Sequence, residues 1–379
     1  MVGGANKVYG KKRFRLKSLI LLFLLYTLAF GLDVQSINRQ AYSSVVYMVK
    51  VEDFPEEMDG SLVRTWITED RYPEGLLSEA DYQRLWKACS LDKIPDRVKV
   101  SFGWTLRRTD MKMYPTDKPV SRKGSNIDYN QYTLLEPFTP LAVLNESGGW
   151  LYVHAPFMRG WVKKEDVYLS SKEELIKVIS LPFLVVTAPE KEIGGLSWSM
   201  GSKLYYTRKD GDRYLILMPN MKKLWIEKDN DLHEGYLSFS EEIVKRLLVA
   251  YLGMPYSWGK LDCSAFVRNV FLVFGVELPR NSSQQMRVGN SYGCCFASYE
   301  QFKETLRSLP PYRTLIFMKG HVMVYGGFEK GQPVVYHAVH SIVHDDSIKR
   351  YVGKVVKNRL EEDSLRNLYS KVIDVRVLP

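Results

Sequence analysis

Cys263 is the residue of this chain best placed to act as a nucleophile. It follows Asp262, and the apolar residues after it recur with helical spacing at positions 266, 267, 270, 271 and 274. Gly275 then supplies a natural helix stop. The spacing predicts a helix that begins near the cysteine. Because a helix N-terminus presents unpaired N–H groups and a positive dipole end, we expect it to favour the thiolate, which is the form needed for covalent catalysis.

Two downstream histidines are candidates for the proton acceptor. His321 opens a segment with apolar residues at 322 and 324, and His337 lies in the strand-like run 334–338. A cysteine on a helix followed by histidines on adjacent strands is the papain-like arrangement. Each residue also has a structural interpretation, since Asp262 suits a helix N-cap and a strand histidine is often structural.

The segments around Cys263 favour the catalytic interpretation. An amphipathic stripe over 243–252 ends at Gly253, and the turn 253–259 leads directly to the cysteine. The polar segment 278–285 is suited to binding a polar ligand.

These motifs resemble the NlpC/p60 family of cell-wall cysteine peptidases over about the last third of the chain. The matching residues are Pro255-Tyr256-x-Trp258-Gly259, Asp262-Cys263-Ser264, Leu278-Pro279-Arg280-x-Ser282-x-x-Gln285, Gly320-His321-Val322 and Tyr336-His337-Ala338. Two positions depart from the family pattern, because Lys260 and Ala265 stand where glycine is common, but neither removes a reacting group.

The resemblance implies a role for each matching residue. Cys263 would attack a peptide carbonyl, His321 would be the base, His337 would orient it, and Tyr256 would lie near the oxyanion. Asp262 would hold the free amine of a short substrate. Ser264, Arg280 and Ser282 are expected to contact the substrate carboxylate or backbone.

The predicted fold is α+β, with a papain-like catalytic domain over 237–379. A mostly helical segment is expected over 32–95, since Ser78 and Asp81 suit the start of a helix to Ala88. Short strands between turns predict two small barrels over 96–172 and 173–236, which resemble bacterial SH3-like domains. Such barrels either bind wall material or limit substrate length, and we favour the second role because a rigid neighbour excludes longer substrates by clash.

The N-terminus predicts export to the periplasm or cell envelope. Residues 1–31 have the form of a signal peptide, with a basic region, an apolar segment of twelve residues from Leu19 to Phe30, and the small-x-small site Ala29-Phe30-Gly31. The formal net charge is +10, but six of those charges precede residue 32, so the remainder carries only +4. No concentrated basic face follows, which argues against nucleic-acid binding.

The four cysteines do not form a disulfide scaffold. Cys294 and Cys295 are adjacent and not placed to bridge comfortably, although one of them has Cys89 as a conceivable partner. Cys263 must remain free. The run His337-x-x-His340-x-x-x-His344 lacks the cysteines or carboxylates of a structural zinc site, so no metal or cofactor is expected.

The resemblance implies hydrolysis of the γ-D-glutamyl–diamino acid bond in peptidoglycan stem peptides with a free N-terminal L-alanine. We expect a monomer that touches the membrane only through its signal segment. Two alternatives stay open. One is a non-catalytic wall-binding protein, and the other is an amidase or acyltransferase acting on another envelope amide.

Overall fold

The computed structural model describes residues 31–125 and 127–379. The predicted signal peptide, apart from residue 31, therefore lies outside the described residues. Within the described part of the chain, no helix combines the length and apolar character needed to cross a membrane.

The N-terminal segment is mainly helical. Its elements are α1 (Val34–Ser44), β1 (Glu57–Asp59), α2 (Gly60–Glu69), α3 (Glu79–Ala88) and β2 (Arg97–Lys99), with β1 and β2 paired antiparallel. Helix α3 begins with a reciprocal capping box in which the Ser78 and Asp81 side chains each accept from the other's backbone N–H. The predicted helix start is thus present in the structure.

A seven-stranded antiparallel sheet follows. Its strands are β3 (Ser101–Thr105), β4 (Thr109–Lys112), β5 (Gln131–Leu135), β6 (Pro140–Ser147), β7 (Trp150–Ala155), β8 (Met158–Lys163) and β9 (Val167–Ser170). They are ordered β5-β4-β8-β7-β6-β3-β9. Trp104 and Trp161 are fully buried within this first barrel, so they serve packing.

A second β unit follows α4 (Lys172–Ile179). Its strands are β10 (Phe183–Val186), β11 (Glu190–Ile193), β12 (Leu196–Ser199), β13 (Lys203–Asp210), β14 (Arg213–Leu217), β15 (Lys223–Glu227) and β16 (Leu232–Glu234). Strands β11 and β12 form a hairpin, and the other five are ordered β15-β14-β13-β10-β16. Its identity as a second SH3-like domain stays a prediction.

The C-terminal part combines helices with one six-stranded sheet, which agrees with the predicted α+β class. Its elements are α5 (Glu241–Ala250), α6 (Cys263–Leu272), α7 (Ser282–Gln285), β17 (Asn290–Ser291), α8 (Tyr299–Arg307), β18 (Thr314–Met318), β19 (His321–Glu329), β20 (Gln332–Val343), β21 (Lys349–Arg359) and β22 (Val372–Val377). The strand order is β17-β22-β18-β19-β20-β21. Short 3-10 helices occupy Val51–Asp53, Leu91–Lys93, Lys164–Asp166 and Arg366–Lys371.

The first barrel shares a hydrophobic core with each of its neighbours. Leu151 and Val153 pack in one cluster with Phe266 and Val270 of α6. Tyr152 and Trp161, from the same barrel, pack in a second cluster with residues of the N-terminal helices and the second β unit. Because apolar burial is the main stabilising contribution to folding, the barrel is a structural support for the helix that carries Cys263.

The β4–β5 edge of the first barrel packs against the loop that precedes Cys263. Lys260 pairs with Asp110 at 2.9 Å, and the Trp258 ring meets Tyr129 edge-on at 5.8 Å. Gly259 has a positive φ of 70°, and a Cβ there would lie 2.9 Å from the Gln131 carbonyl oxygen. Only glycine satisfies both the backbone conformation and this close approach.

The hydrogen bond from Arg280 Nε to Thr133 Oγ1 provides a test of the contact between the barrel and the catalytic part. The distance is 2.7 Å and both residues are buried. Thr133→Val removes the acceptor while nearly preserving volume, so a buried guanidinium N–H loses its partner. We expect a loss of about 1–3 kcal/mol in the free energy of unfolding.

Urea denaturation of the Thr133→Val variant measures this loss. Thr207→Val, at an exposed strand position, is the matched control and is expected to change little. Equal stability of the Thr133 variant and the unaltered protein would show that the bond does not support the interface.

Candidate active site

The candidate nucleophile occupies the first position of helix α6. Asp262 is the N-cap, and its Oδ1 accepts from the Ala265 N–H at 3.0 Å. Its Oδ2 accepts from the Gly259 N–H at 3.1 Å. Asp262 therefore secures both the helix start and the preceding turn, as the N-cap interpretation predicted.

Arg280 completes a buried ion pair with Asp262. Its Nη1 and Nη2 reach the two carboxylate oxygens at 3.0 and 2.7 Å, and Nη1 also donates to Ser264 Oγ at 2.9 Å. The side chains of Arg280 and Asp262 are only 3% and 11% exposed. Burial alone would raise the pKa of Asp262, but the charge and hydrogen bonds of Arg280 outweigh it and lower that pKa.

This pairing limits the predicted substrate contacts. Asp262 accepts from Arg280, Ser264, Gly259 and Ala265, which fills the acceptor positions of a carboxylate. A substrate ammonium would have to displace one of these donors. Arg280 likewise donates four hydrogen bonds inside the protein. The contacts of Asp262, Ser264 and Arg280 with substrate therefore stay predictions.

The Cys263 sulfur lies against the backbone on both sides of His321. Sγ is 4.0 Å from the Gly320 carbonyl oxygen, and the Val322 N–H is close enough to lower the pKa of the thiol. Cys263 is free and 7% exposed. The structure thus brings the candidate nucleophile to the start of the strand that carries the candidate base.

The two candidate histidines are hydrogen-bonded to each other. His321 Nε2 and His337 Nδ1 are 2.7 Å apart. Strand β19 pairs with β20 through Val324 opposite Tyr336, and this register, extended, places the two histidines on one face as diagonal neighbours. The predicted association of His321 with His337 is therefore present in the structure.

Burial keeps both the sulfur and the imidazoles neutral. Desolvation raises the pKa of Cys263 to about 12, and the Asp262 charge adds to the effect. Desolvation lowers the pKa of His321 to about 3, assisted by His337, and that of His337 to about 4. The backbone N–H group of Ser264 at the helix start does lower the pKa of the thiol, as expected, but burial outweighs it and favours the neutral thiol.

Tyr256 packs against the hydrophobic cluster that contains Cys263, whereas Ser282 lies farther along the chain at the start of α7. Burial raises the pKa of Tyr256, and the charge of Asp262 adds to the effect. The Tyr256 ring packs on His340 at 5.9 Å. Ser282 is half-buried, and its contact with substrate stays a prediction.

Two further residues belong to this site and were missed in the sequence. Asn358 Oδ1 is 2.9 Å from His337 Nε2, and Asn358 Nδ2 donates to Asp363 Oδ2 at 3.0 Å. His337 pairs with Val356 across β20 and β21, so Asn358 lies two residues farther on the same face. Only this register brings the residues together, and no sequence motif marks it.

The remaining cysteines and histidines lie outside this arrangement. Cys89 is buried and Cys294 and Cys295 are exposed, and all three are free, so the conceivable bridge to Cys89 is not formed. Within residues 31–125 and 127–379, no group of three or more potential ligands is arranged to hold a metal ion. His344 Nδ1 instead lies 2.9 Å from the Asp363 carbonyl oxygen.

Comparison with known proteins agrees with the resemblance noted in the sequence. Residues 253–361 match the model of the NlpC/P60 family, and residues 117–163 match that of the SH3 domain of the SH3b1 type. A gamma-D-glutamyl-L-lysine dipeptidyl-peptidase from Bacillus cereus (strain ATCC 10987 / NRS 248) is 26% identical over 175 residues, which are 39% of this chain. The match spans about half (52%) of that relative's length.

Solved structures show the same fold. An NlpC/P60 endopeptidase from Photobacterium damselae subsp. piscicida superimposes with a TM-score of 0.64 at 16% identity, covering 91% of this chain and 92% of that one. An NlpC/P60 family protein from Bacillus cereus ATCC 10987 gives a TM-score of 0.54 at 19% identity, covering 74% and 100% respectively. The chain therefore carries a domain of the NlpC/P60 family, whose members are cysteine peptidases, together with an SH3b domain.

Proposed function

We propose that this protein is a cysteine peptidase that hydrolyses the γ-D-glutamyl–diamino acid bond of peptidoglycan stem peptides outside the cytoplasm. The observation that carries the proposal is the Cys263 sulfur at a helix start, against the strand whose His321 is bonded to His337 at 2.7 Å. The Bacillus cereus relative, whose name specifies a γ-D-glutamyl-L-lysine bond, supports this choice of substrate.

The reaction begins from a neutral thiol and a neutral imidazole. As Sγ of Cys263 attacks the carbonyl carbon, the thiol proton passes to His321, and the C–O π electrons move to oxygen. The Cys263 backbone N–H and the Tyr256 hydroxyl are the proposed donors to that oxyanion. His321 then gives its proton to the leaving amine, and the C–N bond breaks to leave a thioester.

Hydrolysis of the thioester repeats the sequence with water. His321 accepts a proton from the water as it attacks the acyl carbon, and returns it to the sulfur as the C–S bond breaks. The enzyme is regenerated with a neutral thiol and imidazole. His337 orients His321 through both steps, as the third member of a catalytic triad does.

We assign the first barrel a role in limiting substrate length. Its β4–β5 edge packs against the loop 257–262 immediately before the nucleophile, with Lys260 bonded to Asp110 and Trp258 against Tyr129. A rigid wall at this place would exclude peptides that carry further residues on the N-terminal side of the L-alanine. Binding of intact wall by this SH3b domain is the competing role.

Peptide cleavage by the full-length protein tests the function. Free L-Ala-γ-D-Glu-L-Lys should be cut between glutamate and lysine, N-acetylated tripeptide more slowly, and intact sacculi least. Cys263→Ala should lower kcat at least about 1,000-fold, because the nucleophile is lost. Chromatography with mass detection identifies the products.

Cys294→Ala is the matched control, since that cysteine is exposed and distant in sequence from the site. It should retain full activity. Cleavage by the Cys263→Ala variant at an undiminished rate would exclude the mechanism, and preferential release of material from sacculi would favour the wall-binding role.

The protonation state of Cys263 is a second test. Because burial raises the pKa of this thiol, it should contribute no thiolate between about pH 4 and pH 8 in the absence of substrate. The difference in ultraviolet thiolate absorbance between the unaltered protein and Cys263→Ala reports this titration directly. A thiolate step below about pH 7 would instead show a preformed ion pair.

The oxyanion role of Tyr256 is a third test. Tyr256→Phe removes only the hydroxyl, and we expect kcat to fall about 100- to 1,000-fold with little change in KM, since the bond forms in the transition state. Tyr351→Phe, on an exposed tyrosine that packs against the same His340, is the control. A loss confined to KM would assign Tyr256 to substrate binding.

A further inference from the structure

The hydrogen bonds that begin at His321 and His337 continue through two further side chains, Asn358 and Asp363. His321, His337 and Asn358 lie on adjacent strands β19, β20 and β21, and Asp363 follows in the turn after β21. The successive distances are 2.7 Å from His321 to His337, 2.9 Å from His337 to Asn358, and 3.0 Å from Asn358 to Asp363.

We propose that Asp363 and Asn358 are positioning residues that fix the tautomers of His337 and His321, leaving Nδ1 of His321 as the basic nitrogen. This inference rests on the proposed function for its catalytic meaning, but the tautomers themselves do not depend on it.

The Asp363 carboxylate sets the orientation of the Asn358 amide. Oδ2 of Asp363 accepts from the Arg359 backbone N–H at 2.7 Å and from Asn358 Nδ2 at 3.0 Å. An ionised carboxylate only accepts hydrogen bonds, so the amide NH2 must face it. Rotating the amide by half a turn would place Asn358 Oδ1 against Asp363 Oδ2, and two acceptors cannot form a hydrogen bond. Asn358 therefore presents its carbonyl oxygen to His337.

The Asn358 oxygen then determines the proton on His337. Since Oδ1 accepts, the His337 Nε2 that lies 2.9 Å away must carry hydrogen. His337 is 3% exposed, and burial lowers its pKa to about 4, so it holds one ring proton at neutral pH. Its Nδ1 is consequently a bare acceptor.

The bare Nδ1 of His337 in turn determines which nitrogen of His321 carries hydrogen. His321 Nε2 lies 2.7 Å from the bare Nδ1 of His337, so Nε2 must be the donor. Burial lowers the pKa of His321 to about 3, which leaves a single ring proton. Nδ1 of His321 is then unprotonated and available to accept the proton of Cys263. With the opposite tautomer His321 would have no basic nitrogen left for the thiol.

Two substitutions interrupt this series at different points. Asn358→Leu removes the acceptor for His337 Nε2, so His337 can adopt the tautomer with hydrogen on Nδ1 and force the same change on His321. Asp363→Asn replaces the carboxylate by an amide that can face Asn358 in either orientation. Glu362→Gln is the matched control, because Glu362 lies in the same turn and pairs with Arg359 instead.

Nitrogen NMR of 15N-histidine-labelled full-length protein, without substrate, reads the tautomers directly. Only six histidines contribute, and His321→Gln and His337→Gln assign the two signals. We expect both residues to carry hydrogen on Nε2 in the unaltered protein and in Glu362→Gln. In Asn358→Leu the Nδ1-protonated form should appear for both, and kcat should fall about 10- to 100-fold, with KM nearly constant.

Two results would overturn the inference. One is hydrogen on Nδ1 of His321 in the unaltered protein, and the other is unchanged tautomers in a folded Asn358→Leu variant. Failure of the peptidase proposal can be distinguished from failure of this inference, because the NMR signals are recorded without substrate. If no peptide is cleaved but the tautomers are as expected, the peptidase proposal fails and the positioning role of Asn358 and Asp363 holds.

Discussion

The buried ion pair between Asp262 and Arg280 is the interaction on which the rest of the site depends. It fixes the first turn of α6 and therefore the place of Cys263, and through Thr133 it ties that turn to the first barrel. A buried charge is stable only when it is paired and hydrogen-bonded, and here Arg280 donates four hydrogen bonds, two of them to Asp262. The position of Cys263, the candidate nucleophile, thus depends on the barrel and the C-terminal part together.

The electrostatics of the site follow from its burial. A helix N-terminus lowers the pKa of a nearby thiol, whereas burial raises it. At Cys263 burial is the larger effect. The same desolvation lowers the pKa of His321 and keeps it free of a second proton at mildly acidic pH. In the proposed mechanism Cys263 and His321 are therefore uncharged before substrate arrives, and their charge pair develops only during attack.

The sequence predicted those features that depend on local spacing. The helix start at Cys263, the capping residues of α3 and the strands carrying His321 and His337 all follow from periodicity and cap chemistry. The resemblance to NlpC/p60 peptidases predicted that these residues belong to one site. The resemblance itself was confirmed by the match over 253–361.

Features that depend on distant pairing could not be predicted. Thr133 meets Arg280 across 147 positions, and Asn358 reaches His337 through the register of two strands. The state of the thiol was misjudged because a local dipole is visible in the sequence, whereas the degree of burial is not. Hairpin β11–β12 was also missed, since its strands are short and largely polar.

The central claim is that the Cys263 sulfur carries the acyl group during turnover, and rapid acid quench followed by mass spectrometry tests it most directly. With L-Ala-γ-D-Glu-L-Lys as substrate, the account predicts an L-Ala-γ-D-Glu thioester on the tryptic peptide that spans 261–268, which contains Cys263 alone. An acyl group found on the peptide that holds Cys294 and Cys295, or product formed with no thioester at any quench time, would contradict it.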